Sequence, residues 1–381
     1  MTDEPRLATA ADVGGIEAAI GAAASVAIDT EFHTERTWAP ELMLVQVGLP
    51  DGAVWLLDPQ DARLMSRVGP RLAAARAWIL HGGAQDVRVL ADALGAVPPV
   101  VYDTQVLAGL IDNEHPAGLA RLLGRYLDVH LDKRATLSDW SRRPLLPLQL
   151  RYAAADVEWL HALHAALAAR VEERGRTWIA DAACAQAREE ALTSPDPATL
   201  LRRLGNTPSD PIEHGTLQAL VAWREDLARS EDRPARSLIG DAALRQLAQL
   251  QPDTLQEILD QRRLPRSFIR THGEALLQAI RSGRAHPPPP RAATARPLLA
   301  TLRLVLDVAG RQEAFAPNLV LPPTMLDDLA SDPPTSRAAL RQRIGPWRDA
   351  MAGRWVDAAL NGKLTVNVDR GSTSILVDEN S

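Results

Sequence analysis

The first half of the chain alternates short apolar runs with longer amphipathic stretches. SVAIDTEF (25–32), ELMLVQVGL (41–49) and AVWLLDP (53–59) have strand length, and the last two are joined by the Pro-Asp-Gly turn at 50–52. They predict a strand–turn–strand meander. AWILHGG predicts a further strand entering the helix AQDVRVLADAL, and VVYDTQVLAGLI predicts a strand leading into another helix. Elements in this order predict a mixed sheet with helices packed on it, an α/β domain. From residue 210 onward strand patterns nearly vanish and amphipathic helices with short Pro-containing turns take over. The expected fold class is therefore α/β followed by all-α.

Proline marks the joints. TSPDPATL (193–200) and NTPSDP (206–211) follow a long helical stretch, and HPPPPRAATARP (286–297) predicts an extended, semi-rigid linker. The expected domains are 1–195, 207–285 and 296–381. No short repeat of fixed period is visible, although the last two segments could be distant copies of one helical module.

Two carboxylates interrupt the first strand. A strand projects residues i and i+2 to one face, so Asp29 and Glu31 point together, about 7 Å apart along the chain. Like charges side by side on a buried strand repel and resist desolvation. A second interruption falls in PLQLRYAAADVEWLHALHAALAARV, read as one helix with an apolar stripe through Leu148, Tyr152, Leu160, Leu163 and Leu167. Asp156 lies on that stripe, with Tyr152 one turn before it on the same face. Asp86 sits in the first turn of another helix, directly after LHGG.

Each piece has a bland reading. Asp86 alone is an acid complementing a helix N-terminus, and Asp29 and Glu31 alone could sit at a solvent-facing strand end. Asp156 alone could pair with Arg151, and Tyr152 alone is a core aromatic. One chemistry accounts for all of them together. Two divalent cations, Mg²⁺ or Mn²⁺, need several carboxylate oxygens brought from different elements, and a tyrosine hydroxyl can orient an attacking water. The reaction class is two-metal phosphodiester hydrolysis.

Composition narrows the setting. A chain of 381 residues is too long for one typical domain, and its 46% hydrophobic and 24% charged content is ordinary for a soluble protein. The opening MTDEPRLATAADV has no basic stretch before an apolar core, so no secretory signal is expected. No run of about 18 apolar residues predicts a membrane span. A single cysteine, Cys184, excludes an internal disulfide framework and a Cys-rich zinc site, which suits a cytoplasmic protein. His81, His115 and His214 lack zinc-ligand spacing and read as structural or surface residues.

The net charge of −6 is unevenly placed. Residues 1–200 hold 18 Lys and Arg against 27 Asp and Glu, residues 201–290 hold 13 against 11, and residues 291–381 hold 11 against 10. The acidity belongs to the first domain. That suits a site that collects cations and leaves room for a polyanionic substrate.

IDTEF, LHGGAQD and YAAADVEWL, in that order and at these separations, resemble the three exonuclease motifs of the DEDD superfamily. The tyrosine four residues before the last Asp resembles its tyrosine-bearing branch. LDKRATLSDWSRRPLLPLQLRYAAADVEWL is similar to ribonuclease D. LQALVAWREDLARSEDRPARSLIGDAALRQLAQLQPDTLQEIL is similar to the helicase-and-RNase-D C-terminal (HRDC) domain, and LRQRIGPWRDAMAGRWVDAALNG resembles the second, divergent helical domain of bacterial ribonucleases D. Nearly the whole chain is covered.

The resemblance implies an RNase-H-like exonuclease domain followed by two small HRDC-type domains, and 3′→5′ release of nucleoside 5′-monophosphates from RNA. Its implied substrates are tRNA precursors and other structured RNAs with accessible 3′ ends, with no membrane and no obligate protein partner. It also assigns roles. Asp29 would bridge two metal ions, Glu31 and Asp156 would complete the first ion's shell, Asp86 would serve the second, and Tyr152 would position the water. Phe32 would wedge against the terminal bases, or else pack in the core. Arg134, Leu137 and Trp38 depart from the family's usual residues, away from every implied metal ligand.

Two other readings stay open at this point, a 3′→5′ exonuclease on DNA and a catalytically silent RNA-binding scaffold. The five chemical residues argue against the silent one. In the helical region QRRLPRSFIR offers a phosphate-contacting cluster, Arg262, Arg263, Arg266 and Arg270, beside a solvated-face reading of the same arginines. Phe268 reads as core more readily than as a stacking platform. Since the chemical residues all precede residue 157, a chain ending near Thr193 is expected to hold a complete active site.

Overall fold

The computed structural model describes residues 5–131, 139–205, 208–261, 264–288, 295–368 and 373–377. It divides into two compact units. The first comprises residues 1–32, 42–192 and 294–381, and the second residues 33–41 and 193–293.

In the first unit helix α1 (Val13–Ala22) precedes strands β1 (Val26–His33), β2 (Glu41–Gly48) and β3 (Val54–Leu57). Helix α2 (Ala62–Ala73), strand β4 (Trp78–Leu80), helix α3 (Ala84–Leu94), strand β5 (Val101–Asp103) and helix α4 (Thr104–Gly109) follow. Helices α5 (Leu119–Leu127), α6 (Pro147–Glu158), α7 (Leu160–Glu173) and α8 (Thr177–Leu192) complete the exonuclease-like part. The sheet order is β3-β2-β1-β4-β5, with β1 parallel to β4, β4 parallel to β5, and β2 antiparallel to β3. The connection from β1 to β2 is too short for a parallel crossover, so these neighbours run antiparallel.

Both faces of the sheet are covered. On one face Val26, Ile28, Val45, Val47 and Trp78 pack with Ile16 and Ile20 of α1, Leu64 and Val68 of α2, and Leu90 of α3. On the other, Ala27 and Ile79 meet Val157 and Leu160, while Leu44 and Leu56 meet Trp140, Leu145 and Ala153. A Cβ on Gly48 would lie 2.9 Å from the Val157 carbonyl oxygen and 3.2 Å from the Ala27 Cβ, so glycine lets α6 approach β2 closely.

Two expectations change along α6 and α7. The stretch read as one helix is two, α6 and α7, separated at Trp159 with φ −104° and ψ 0°. Leu148 does not join a buried stripe: it is exposed, and α6 buries Ala153, Ala154 and Val157 instead. Past the break, Leu160, Leu163 and Leu167 of α7 are buried as expected.

The C-terminal segment, expected as a helical domain over 296–381, shares a core with the first. Helices α15 (Ala295–Glu313), α17 (Pro323–Ser331) and α18 (Arg337–Ile344) place Leu302, Val305, Leu306, Leu329 and Leu340 in one cluster with Leu107, Leu123, Leu163 and Leu167. Between α15 and α17 a short helix, α16, spans Pro317–Val320. The segment ends in a hairpin, β6 (Leu364–Val368) with β7 (Thr373–Val377), where helix alone was expected.

The second unit is helical: α9 (Pro197–Leu204), α10 (Pro211–Glu231), α11 (Ala235–Leu238), α12 (Asp241–Leu250), α13 (Leu255–Asp260) and α14 (Arg266–Ala285). Leu217, Leu220, Leu244, Leu247, Leu276 and Ile280 form its core. A Cβ on Gly283 would lie 2.5 Å from the Gly215 carbonyl oxygen, so the long helices α10 and α14 touch backbone to backbone. Trp38 belongs to this unit. Its indole N–H donates to Glu225 at 2.7 Å, and the Arg229 guanidinium lies 4.8 Å from its ring centroid. The unusual Trp38 therefore has a packing role. Arg134 and Leu137 lie outside the described residues.

Candidate active site

β1 alternates as its sequence requires. Ala27 faces α6 and α7, so Asp29 and Glu31 face the same way, while Thr30 turns to the opposite side and is buried. There the Thr30 hydroxyl donates to the Asp86 carboxylate.

Asp86 is held by local geometry around LHGG. The Asp103 carboxylate caps α4 by accepting from the Gln105 N–H at 2.8 Å, and also accepts from the N–H groups of Gly82 at 2.9 Å and Gly83 at 3.1 Å. Gly82 has φ +65°, which an L side chain rarely adopts, and a Cβ on Gly83 would lie 2.6 Å from the Leu80 Cβ. These two glycines set the entry of α3, whose first turn carries Asp86.

The start of α6 is fixed too. Pro147 occupies its first turn, and the Leu146 N–H donates to the Gln149 side-chain oxygen at 2.8 Å. Upstream, Arg143 makes a two-pronged contact with Asp58, at 2.6 and 2.8 Å, and donates to the carbonyls of Met43 at 2.8 Å and Trp140 at 2.7 Å. The Trp140 ring lies 6.2 Å from that of Tyr152. Tyr152 lies one turn before Asp156 on α6, and the two act on each other's ionisation.

The four acids act on one another. Burial pushes Asp29 well above the ordinary carboxylate value, and the charges of Asp86, Asp156 and Glu31 push it further. Burial also raises Glu31 to about 8, with Asp156 and Asp86 adding to it. Asp156 is raised to about 7 by burial, against the lowering effect of the Tyr152 hydrogen bond. Burial raises Asp86, and the Thr30 hydroxyl opposes it. The Tyr152 phenol is raised by desolvation and by the acids around it. Among the described residues, however, no three His, Cys, Asp or Glu side chains are already gathered closely enough to hold an ion. The expected convergence shows as a shared electrostatic field of the four acids and not as a gathered ligand set.

Phe32 is half-buried at the end of β1, next to Glu31. Arg266 and Arg270 are exposed on α14, whereas Arg262 and Arg263 lie outside the described residues. Phe268 packs edge-on to Trp223, with centroids 6.4 Å apart. His81 Nδ1 lies 2.9 Å from the Thr104 hydroxyl, a structural contact. Sequence reasoning passed over Thr30 and the Asp58–Arg143 pair. Thr30 had a signal, a polar residue at a position that strand alternation assigns to the core.

Comparison with known proteins adds the family. Residues 9–172 match the 3′-5′ exonuclease family and residues 213–280 the HRDC domain. The chain is 33% identical over 358 residues to ribonuclease D of Granulibacter bethesdensis, covering 90% of this chain and 89% of that protein. It is 30% identical over 381 residues to ribonuclease D of Gluconacetobacter diazotrophicus, covering 96% and 95%. Its fold matches Escherichia coli RNase D, an exoribonuclease involved in structured RNA processing, with a TM-score of 0.73 and 25% identity over 93% of this chain and 98% of that one. Acids on three separate elements, a tyrosine one turn from the last of them, and these likenesses over nearly the whole length place the chain in the ribonuclease D family of 3′→5′ exoribonucleases.

Proposed function

We propose that the chain trims structured RNA, tRNA precursors among them, from the 3′ end, and that Asp29, Glu31, Asp86, Asp156 and Tyr152 carry the chemistry. The observation that carries this reading is the shared field of four half-buried or buried acids from β1, α3 and α6, each pushed toward protonation by burial. The donor set fits a pair of Mg²⁺ or Mn²⁺ ions, since it is all oxygen and no soft ligand has a place in it. Asp29 would contact both ions, Glu31 and Asp156 the first, and Asp86 the second. Bound there, such ions lower the pKa of a water and stabilise the leaving 3′ oxygen.

The remaining work falls to the protein's own groups. Thr30 holds Asp86 from behind the strand, and the Asp103-capped glycine turn sets the position of α3. The Tyr152 phenol, kept protonated by its surroundings, would orient the attacking water through its hydroxyl. Phe32 would abut the terminal bases. Exposed Arg266 and Arg270, with Arg262 and Arg263, would contact phosphates without reading sequence.

The test uses 5′-labelled RNA and DNA of equal sequence, incubated with Mg²⁺, Mn²⁺ or EDTA and resolved by product length. The expected result is stepwise shortening of RNA from the 3′ end, abolished by EDTA. Undiminished hydrolysis in EDTA would sink the two-metal reading, and equal rates on DNA would remove the restriction to RNA.

A further inference from the structure

Gln46 is a buried polar group that this chemistry leaves unexplained. It lies in the middle of β2, in the apolar run LMLVQVGL, and is 0% exposed. Neither its side-chain oxygen nor its side-chain nitrogen has a hydrogen-bond partner. A carboxamide taken out of water with both ends unmatched is a net cost to the fold, so an apolar side chain of the same shape would serve packing better.

Its place in the sheet suggests what the carboxamide is for. The Gly48 Cβ position falls 3.2 Å from the Ala27 Cβ, which sets Gly48 beside Ala27 across the β1–β2 pair. These strands run antiparallel, so two residues back along β2 corresponds to two residues forward along β1. Gln46 therefore stands beside Asp29, on the same face, beneath α6. The register with β3, Gln46 opposite Leu56 and Gly48 opposite Val54, offers it only apolar neighbours on its other side.

We propose that Gln46 is a positioning residue for Asp29: its side-chain N–H donates to the Asp29 carboxylate when that group turns to hold divalent cations. This rests on the reading of Asp29 as a metal ligand. Carboxylates that bind ions are commonly oriented by such a second hydrogen bond, and losing it typically weakens metal affinity 10–100-fold. Gln46 carries no charge, so it orients Asp29 without competing for the cation. A glutamate or lysine at the same point would add repulsion or a rival ion pair.

The experiment measures Mn²⁺ binding without substrate, by titration calorimetry or by the electron paramagnetic resonance of free Mn²⁺, on the full chain. Wild type, Asp29→Asn, Gln46→Met and Gln46→Asn are compared, with each variant's melting temperature in EDTA. Gln46→Met is expected to melt at or above the wild-type temperature and to bind Mn²⁺ at least 10-fold more weakly. Gln46→Asn, which keeps the amide on a shorter stem, should fall between them and covers the case in which the Met variant does not fold. Equal Mn²⁺ affinity in wild type and a folded Gln46 variant overturns the proposal while leaving the metal reading of Asp29 intact. Mn²⁺ binding that Asp29→Asn leaves unchanged overturns both.

Discussion

Tyr152 and Asp156 stand one turn apart on α6 and act on each other's ionisation. The Tyr152 hydroxyl holds the Asp156 carboxyl lower than burial alone would place it. Tyr152→Phe keeps the ring and its contact with Trp140 while removing the donor. Metal binding should survive and kcat should fall by roughly 10²–10⁴-fold, the range for a positioned proton-handling group. Single-turnover rates at saturating RNA check this. A wild-type rate would take Tyr152 out of the mechanism.

The acids also predict how stability and metal affinity vary with pH. Glu31 and Asp156 rise from ordinary values of 4.5 and 3.8 to about 8 and about 7. A carboxyl whose pKa is raised by folding holds its proton better in the folded state. Its stabilising contribution is complete below about pH 4 and is lost as pH rises through 7 to 8. Asp58 works the other way. Burial would raise it, but the Arg143 hydrogen bonds and charge outweigh that, so its contribution is lost only as pH falls through its lowered value. The metal-free protein should therefore melt at lower temperature at pH 8 than at pH 5.5, and Mg²⁺ should bind more tightly across the same rise. Asp29→Asn, which relieves the repulsion, should melt higher than wild type in EDTA and flatten the trend. Melting curves from pH 5 to 9, with and without Mg²⁺, test it. A metal-free melting temperature that rises across this range would contradict the burial of these acids.

What could be read in the sequence depended on how local the determinant is. Asp29 with Glu31 needed only strand alternation, and Asp86 and Asp156 only the position of a helix start and a helical repeat. The Thr30–Asp86 bond spans 56 residues, and no pattern along the chain announces it. Trp159 defeated the single-helix reading because every residue from Leu148 to Leu167 suits a helix. The break is set by packing, with α6 lying over β2 and β3 and α7 turning toward α4 and α5. Leu148 was misjudged for the same reason, since a stripe extrapolated across the break points to the wrong face. The shared core of the first and last segments was invisible because composition marks the proline linker between them, while helix faces meet only in three dimensions.

Arg143 ties the segment before α6 to the sheet. It grips Asp58 with two hydrogen bonds and donates to the Met43 and Trp140 carbonyls. Arg143→Met removes the cation and leaves Asp58 partly buried without its partner. The expected loss of stability is about 3 kcal/mol, the low end for a buried pair broken from one side, because both side chains keep some contact with water. Since α6 carries Tyr152 and Asp156, kcat should fall as well. A urea titration gives the first quantity and initial rates give the second. The double variant Arg143→Met with Asp58→Leu should recover part of the stability, and no recovery would show that the carbonyl contacts matter more than the ion pair.

A chain ending near Thr193 contains all five chemical residues, yet it should not be a working enzyme. Leu163, Leu167, Val171 and Ile179 pack into one cluster with Leu302, Val305, Leu306, Phe315 and Trp355 of the C-terminal segment. Polar groups bind across the same seam. Arg176 donates to the carbonyls of Ala314 at 2.7 Å and Glu313 at 2.8 Å, and the Ala316 N–H donates to the Gly109 carbonyl at 2.7 Å. Cutting at Thr193 bares the near side of this cluster. Each large apolar side chain brought back to water costs about 1.5–3 kcal/mol, so losing several exceeds the roughly 5–15 kcal/mol that holds a typical domain together. The shortened chain is expected to bind 8-anilinonaphthalene-1-sulfonate, to melt without a cooperative transition and to hydrolyse little RNA. Cooperative melting near the full-length temperature, with activity retained, would mean that the C-terminal helices are an independent body and that the shared cluster adds little to the exonuclease fold.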